Sequence, residues 1–503
     1  MTFTIETDVA VIGSGMGGGV IARALAEQGI RTCVLERGTR LPRAAEENWS
    51  PRKVFVDDVY KNAAPWLDTT GNPFKPGVHY WVGGNTKMYG ASLARFREQD
   101  FGEIQFREGL SPAWPFSYAD LEPFYGIAEQ WFGVHGTPGQ DASDPWRSTD
   151  YPYPALPHEP YMTALQDRLR AAGYSPAAAS IAVDRRDGGA CIRCRTCDGF
   201  PCAVDAKGDA ETRAIDPALQ SGHASLETSV RILRLHTNPA GTRVVEATGV
   251  RNGEQVRVRA RTFVVSAGAV NSARLLLMSA NDKHPDGLGN SSGLLGRRYM
   301  VHNATFMVAL DPRRPNHTDF QKTISINDWY LTSDLGEPLG NIQMLGKLQG
   351  AMIKSARPYL PLPLLNGATK YSADFYLESE DLPDPANRIT LNGDNVPVVH
   401  WRPNNMSAHR GLIRKARTML KKVGYPVVLH ETMGIATNSH MCGTAVAGTD
   451  PAASVLDSHC RSHDVENLFV VDSSFFPSSA AMNPALTIAA QAIRVAREGD
   501  LLR

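Results

Sequence analysis

Val9-Ala10-Val11-Ile12 is a short apolar run, and Gly13-Ser14-Gly15-Met16-Gly17-Gly18 follows it directly. Val20, Ile21, Ala24 and Leu25 then repeat at helical spacing up to Gly29, and Thr32-Cys33-Val34-Leu35 ends at Glu36. The order strand, G-x-G-x-x-G, helix, strand, acid predicts a Rossmann-like α/β unit that binds a dinucleotide. Gly13 makes the tight turn, Gly15 lets backbone approach a pyrophosphate, and Gly18 lets helix pack on strand. The helix start offers free N–H groups and a positive dipole end to the phosphates. Glu36 is placed to accept from ribose hydroxyls, which favours NAD or FAD over a 2′-phosphorylated nucleotide.

Working outward, the chain of 503 residues is long enough for two or more domains. Its 52 basic and 52 acidic residues cancel, which argues against nucleic acid or an anionic membrane as the main partner. No run of roughly 18 apolar residues is present to span a bilayer. Met1 to Val11 lacks a basic n-region and leads straight into a strand, so a cytoplasmic protein is expected.

Residues 40–80 have little periodicity and read as loop and lid. Val82-Gly83-Gly84-Asn85-Thr86-Lys87-Met88-Tyr89-Gly90 has the glycines for close approach to a flat ligand. Residues 135–160 read as a long loop, and Pro358 to Pro363 as a loop over a cavity. From Leu226 to Val258 apolar and polar residues alternate as in a strand meander. Thr262 to Val265 reads as a buried strand, Ala267-Gly268 as its turn, and Asn271 to Met278 as a helix. Thr305–Leu310, Thr323–Ile326, Ser372–Leu377 and Arg388–Leu391 are strand candidates for one large antiparallel sheet. Residues 408–423 form an amphipathic helix pattern. Trp329, Gln343 and Tyr376 have side chains suited to a sugar, although a structural role is the simpler reading of each.

Four of the seven cysteines cluster as Cys191-x2-Cys194-x2-Cys197-x4-Cys202. Such spacing suits an iron–sulfur cluster or zinc. The run departs from the ferredoxin pattern, has no histidine nearby and is broken by Asp198-Gly199-Phe200-Pro201. Reduced, packed thiols with no metal are therefore expected.

The C-terminal region carries His440-Met441-Cys442-Gly443-Thr444, then Leu468-Phe469-Val470-Val471-Asp472, then Asn483-Pro484-Ala485-Leu486-Thr487. This stretch, with Gly13 to Glu36, Gly83 to Ser92, Trp114 to Tyr125 and Val264 to Leu277, resembles the glucose-methanol-choline family of flavin oxidoreductases. Glu36-Arg37-Gly38 looks like the family's FAD-binding form. The family's Ser-Pro after the Gly268 turn is Ser272-Ala273 here. The branch with pyranose oxidase and the bacterial glycoside 3-oxidases looks most similar.

The resemblance implies an α/β (α+β overall) architecture. Residues 1–110, 200–304 and 431–503 would form a Rossmann-like FAD-binding domain from separate segments. Residues 111–199 and 305–430 would form a substrate domain with the large antiparallel sheet. It further implies FAD contacts at Gly13, Gly15, Gly18, Glu36, Arg37, Gly84, Asn85, Met88, Tyr89, Gly90, Val230, Ala267, Gly268, Asp472, Pro484 and Thr487. Met88 stands where pyranose oxidases can carry a flavin-linked histidine, so the FAD is expected to be non-covalent.

His440 is the expected base, since an imidazole with an ordinary pKa of about 6.5 is neutral near pH 7. Asn483 would bind the same hydroxyl and cap the helix begun by Pro484. His459 and His463 are second choices. The expected reaction is oxidation of a secondary hydroxyl of a pyranose or glycoside, at C3 or else C2, with oxygen or a quinone as acceptor. A dehydrogenase using a protein acceptor, a flavin-containing lyase and a non-catalytic FAD-binding protein are the alternatives.

Overall fold

In the computed structural model, which describes residues 3–42, 49–61 and 64–502, strand Phe3–Ile12 leads into the glycine turn and helix Met16–Ala26 leaves it. Strand Thr32–Leu35 returns parallel to the first, with Val9 opposite Thr32 and Ile12 opposite Leu35. All four of its residues are buried, as in a parallel sheet covered on both faces. Ala224–Glu227 extends the sheet beyond it, and Glu254–Val265 lies on the other side of Phe3–Ile12, both in parallel register.

Glu254–Val265 divides its far edge between two partners. Its first half pairs antiparallel with Val244–Arg251, which pairs in turn with Val230–Thr237 as the expected meander. Its last three residues, Phe263 to Val265, pair in parallel with Leu468–Val470. One seven-stranded sheet thus draws on the start, middle and end of the chain. Helix Tyr118–Phe132 packs across helix Ala485–Glu498 in the same core, and Trp114 lies with its ring centroid 4.9 Å from that of Phe476.

A second sheet has six antiparallel strands, in the order Val427–Thr432, Asn303–Leu310, Ser372–Ser379, Asn341–Met344, Ile324–Ile326 and Pro176–Ala178. Three of the four expected strands are in it. Asn341–Met344 and Val427–Thr432 were not expected. Ala373, Phe375 and Leu377 alternate onto one face and pack with Leu412, Ala416 and Met419 of helix Met406–Lys422. Asp374, Tyr376 and Glu378 alternate onto the other face. They are as buried as the apolar set, so the polar face is also covered.

Two expectations fail. Arg388–Leu391 is a strand, but it folds back on Pro397–His400 and joins Trp66–Leu67 and Pro73–Phe74 in a separate four-stranded sheet. Asn392 closes that hairpin locally by accepting from the Asp394 and Val396 amides, which takes the strand away from the large sheet. The loop read over Pro358 to Pro363 is shorter than expected, because it lies between helix Gly350–Ala356 and helix Leu362–Thr369 and the second begins inside it. Pro361 and Pro363 sit at the N-cap and in the first turn of the second, where a missing N–H costs nothing. Part of the proposed 40–80 lid, residues 43–48 and 62–63, lies outside the described residues. The rest includes helix Pro51–Phe55, capped by the Ser50 side chain. Among the described residues no helix is long and apolar enough to cross a membrane.

The four clustered cysteines are free thiols that line one small cavity together with Lys207. The Lys207 ammonium donates to the carbonyls of Tyr89 at 2.8 Å and Phe200 at 2.7 Å. Burial pushes the Cys197 thiol up to about 12. No three of the sulfurs lie within 4.8 Å of one another, whereas Zn–S bonds of about 2.3 Å place tetrahedral thiolates roughly 3.8 Å apart.

The glycine turn makes a sharp stability contrast. A Cβ on Gly18 would stand 2.0 Å from the Gly13 carbonyl oxygen, while one on Gly15 meets nothing within 4 Å. Gly18→Ala is expected to destabilise the chain by about 3 kcal/mol or to prevent folding, as overpacking against backbone does. Gly15→Ala should leave the melting temperature of the flavin-free chain unchanged. Equal melting temperatures for the two variants would contradict the packing described.

Candidate active site

Gly15 faces open space beside the first amides of helix Met16–Ala26, the arrangement a pyrophosphate requires. The second glycine segment forms the opposite side. Gly83 has φ +91° and Gly84 φ +56°, and a Cβ on Gly84 would come 3.1 Å from the Gly15 Cα. Ser14 links the two segments: its Oγ accepts from the Gly83 amide at 3.2 Å and donates to Glu36 Oε2 at 2.6 Å. Glu36 also accepts from the Ser14 amide at 3.1 Å and the Gly38 amide at 2.8 Å. Burial pushes its carboxyl up, against these hydrogen bonds and Arg37. Glu36 therefore pins the loop. Val230 donates its amide to the Glu36 carbonyl at 2.9 Å, and Arg37 stacks over Tyr80 at 3.6 Å.

The other expected cofactor contacts divide into side chains that are free and side chains already engaged. Asn85 accepts from the His79 amide at 2.8 Å and donates to the Gly77 carbonyl at 3.1 Å, so it offers only backbone to a ligand. Met88 is buried among Trp49, Tyr60 and Phe200. Tyr89 donates its hydroxyl to the Gly208 carbonyl. Gly90 is pressed by the Asp198 carboxylate, which a Cβ would overlap. Across the sheet, Gly268 has φ +82° and open space at its Cβ position. Asp472 accepts from the Gly268 amide at 2.8 Å, the Ser474 amide at 2.8 Å and the Ser272 hydroxyl, while the Ala267 amide donates to Ser272 Oγ at 3.0 Å. Asp472 locks the turn and leaves little of its carboxylate for a ligand. Thr487 bonds the Tyr125 hydroxyl at 2.7 Å. The open backbone at Gly15 and Gly268 and the acid at Glu36 fit FAD.

His440 lies at the end of this cradle, and strand pairing puts it there. Met300–Val301 pairs antiparallel with Met441–Cys442, with Val301 opposite Met441. One step on, His302 meets His440, their Nδ1 atoms 3.1 Å apart. Asn438 ties the two, donating to the His302 carbonyl and accepting from the His440 amide. Asn303 then pairs with Ser379 and Ala304 with Glu378, which sets Glu378 beside both imidazoles. Glu378 Oε1 is 2.6 Å from His440 Nδ1 and 3.0 Å from His302 Nδ1. Its Oε2 accepts from Gln343 Nε2 at 2.8 Å, and the same amide donates to Asn483 Oδ1 at 2.8 Å.

His440 and Asn483 are thus joined through Glu378 and Gln343. Glu378 is wholly buried, which opposes its charge, yet His440 and His302 hold its carboxyl down to about 2. Burial likewise opposes charge on His302, and Glu378 overrides it and raises the imidazole. The His440 side chain keeps 21% of its surface exposed, the most of this group.

One expectation about Asn483 is corrected. Helix Ala485–Glu498 has Pro484, not Asn483, as its N-cap. The Asn483 oxygen is drawn across to Gln343 and cannot cap. Of the three sugar-suited side chains, Gln343 is in the network, Tyr376 stands edge-on to His440 with centroids 6.2 Å apart, and Trp329 packs against Tyr174 elsewhere. His459 bonds Ser458 and Arg494, and His463 bonds Ser454; neither touches Glu378. Sequence reading missed His302 and Glu378. The available signal was the acid-bearing face of Ser372–Ser379, which repeats polar residues at period two in a strand too apolar to be exposed.

Comparison with known proteins follows the same outline. The GMC oxidoreductase N- and C-terminal profiles match residues 80–304 and 383–492, and a NAD(P)-binding Rossmann-like profile matches residues 11–89. Paromamine 6'-oxidase of Streptomyces fradiae is 32% identical over 98% of this chain and 92% of its own. 6'''-Hydroxyparomomycin C oxidase of Streptomyces lividus is 32% identical over 97% and 90%. The fructose dehydrogenase large subunit of Gluconobacter japonicus is 26% identical over 98% and 97%. Among solved structures, pyridoxine 4-oxidase from Mesorbium loti superposes with a TM-score of 0.66 at 18% identity, covering 98% of this chain and 99% of that one, a likeness of fold. Identity at this level along almost the whole of both chains is more than a shared motif can give, and the chain belongs to the GMC oxidoreductase family, whose cofactor is FAD.

Proposed function

We propose that this enzyme oxidises a hydroxyl of a sugar or glycoside to the carbonyl, with the secondary ring hydroxyl at C3 as the first choice and C2 as the next. The observation that carries the proposal is the fully buried polar wall beside His440. Asn483 spends its oxygen on Gln343, so its amide N–H groups remain for a substrate oxygen. Gln343 Oε1 is buried with no hydrogen-bond partner among the described residues, and such an acceptor is costly unless a ligand donor meets it. A base, a donor and an open acceptor side by side suit a polyol better than a simple alcohol. The names of the Streptomyces relatives point instead to an aminoglycoside, at the 6' position in one and the 6''' position in the other, which is the second reading.

Bound FAD supplies the two-electron acceptor. His440 Nε2 takes the hydroxyl proton as general base, while Asn483 holds the oxygen and so selects which carbon is presented. Glu378 and Gln343 fix the base and the donor relative to each other. The six-stranded sheet, with residues 305–430, forms the substrate side, and the seven-stranded sheet the cofactor side. Oxygen or a quinone is the final acceptor.

His440→Ala should reduce single-turnover flavin reduction by about 10²- to 10⁴-fold with FAD still bound, as loss of a general base does. Asn483→Ala should lose less. Near-normal reduction in His440→Ala would remove it from this role.

FAD should be released into the supernatant on acid precipitation, because Met88 offers no covalent link, and the visible spectrum should be that of flavin alone. Flavin retained in the pellet would refute the first statement, and stoichiometric iron the second.

Substrate position is decided by a panel of free sugars, O- and C-glycosides and aminoglycosides. Peroxide is detected, a quinone is run in parallel, and the product carbonyl is located by NMR. A 3-keto product supports the first reading and an aldehyde at a 6' or 6''' carbon the second. Turnover of aromatic alcohols only would exclude both.

A further inference from the structure

We propose that His302, Glu378 and His440 form a binding site for one divalent transition-metal ion of the zinc type, and that an ion held there stops the reaction by occupying the base. The inhibitory half rests on the assignment of His440 as base. The binding half stands without it.

Three ligand atoms converge. His302 Nδ1 and His440 Nδ1 are 3.1 Å apart, and Glu378 Oε1 is 3.0 Å from the first and 2.6 Å from the second. Two imidazoles and one carboxylate are a donor set that zinc and its neighbours in the first transition row accept. Bonds of about 2.1 Å set at right angles place neighbouring ligand atoms about 3.0 Å apart, and a tetrahedron places them about 3.4 Å apart. The distances here fit the first arrangement, in which three ligands occupy one face and the other positions stay open. Among the described residues no other three His, Cys, Asp or Glu side chains bring ligand atoms within 4.8 Å of one another, so the clustered cysteines do not compete on geometry.

The groups around the trio support it as a ligand set. His302 Nε2 lies 2.9 Å from the Ser479 carbonyl oxygen, which can only accept. In the neutral ring the proton is therefore on Nε2 and the lone pair on Nδ1. A backbone carbonyl on the far nitrogen is the common support of a metal-bound histidine. Gln343 Nε2 donates to Glu378 Oε2 at 2.8 Å, which leaves Oε1 for the centre. Asn438 ties the backbones of His302 and His440 together, so the two imidazoles cannot drift apart. Without an ion the three groups share a proton instead, and binding releases it. Glu378 and His302 are sealed, and His440 is the most exposed of the three. An ion thus enters past His440, by the route a substrate hydroxyl takes to the base. Once Nδ1 of His440 is coordinated, the ring keeps its proton on Nε2 and cannot accept another from a hydroxyl.

Zinc chloride is the probe. Crystals of the wild-type holoenzyme soaked in it should show one anomalous peak at the zinc edge between the three ligand atoms, a measurement that needs no variant to fold. No peak there, or a peak at the four cysteines alone, overturns the proposal. In equilibrium dialysis of EDTA-treated holoenzyme, His302→Gln should weaken zinc binding by more than about 100-fold, since loss of an outer support alone costs about 10- to 100-fold. Cys194→Ser should leave it unchanged. Equal affinity in wild type and His302→Gln, or loss in Cys194→Ser, places the ion elsewhere. The kinetic arm uses the sugar or aminoglycoside of the panel that reduces the flavin fastest. Zinc should raise its KM with kcat unchanged, and EDTA should restore the original value. Zinc bound at the trio with flavin reduction unaffected would overturn the inhibitory half and count against His440 as base, while the site itself would stand on the diffraction.

Discussion

Three distant pieces of chain meet here almost backbone to backbone, with the Ser266 hydroxyl bridging two of them. A Cβ on Gly17 would stand 1.9 Å from the Val471 carbonyl oxygen, and one on Gly13 2.2 Å from that of Ser266. The Ser266 hydroxyl donates to the Val471 carbonyl at 2.6 Å, and the Ser266 amide to the Ile12 carbonyl at 2.8 Å. This contact brings the ends of strands Phe3–Ile12, Glu254–Val265 and Leu468–Val470 to one level. Gly15, Gly268 and Asp472 each lie just past that level, at the carboxyl end of a strand, where ligands of open α/β sheets bind. Any residue with a Cβ at Gly13, Gly17 or Gly18 would separate the three strands and scatter the cradle.

The sequence made this half of the molecule legible because its constraints are local. Glycine spacing, a helical stripe and a terminal acid are all read within 28 residues, Val9 to Glu36. The meander from Leu226 and the Thr262–Val265 strand were equally readable from period two. His440 and Asn483 were found through the resemblance rather than through periodicity, and the structure brings them into one network. What could not be read was the partner of each. Glu378 and His302 become neighbours only through the pairing of Met300–Val301 with Met441–Cys442 and of Asn303–Leu310 with Ser372–Ser379, and no local pattern encodes that register. The Arg388–Leu391 strand was recognised, but its hairpin with Pro397–His400 was not. The helices in residues 350–370 were obscured by prolines, which in fact sit at the start of one of them.

Several of the charges buried in this protein are paired. Arg95, with 1% of its side chain exposed, is held between Glu122 and Glu129 at 2.8 Å each. Lys87 lies between Asp209 at 2.9 Å and Glu211 at 2.6 Å. Such pairs add little net stability, but breaking one leaves an uncompensated charge and costs several kcal/mol. The His302–Glu378 pair follows the same rule with a different outcome. Its two members do not exhaust each other, because Glu378 keeps a contact for His440 and another for Gln343. A structural ion pair is closed on itself; this one has two connections left over, one to His440 and one through Gln343 to Asn483.

The divided edge of strand Glu254–Val265 has a consequence for how the protein is made. Phe263 to Val265 wait for Leu468–Val470, which leaves the ribosome about 200 residues later. At roughly 5–20 residues per second, that delay is about 10–40 s. Through this interval a run of three buried apolar residues presents unpaired N–H and C=O groups at the centre of the nascent molecule, a template for any passing strand. Truncation anywhere before Leu468 leaves that edge permanently open and also removes Asn483. The last strand of this sheet thus closes an edge that the nascent chain must keep from other strands until synthesis is nearly done.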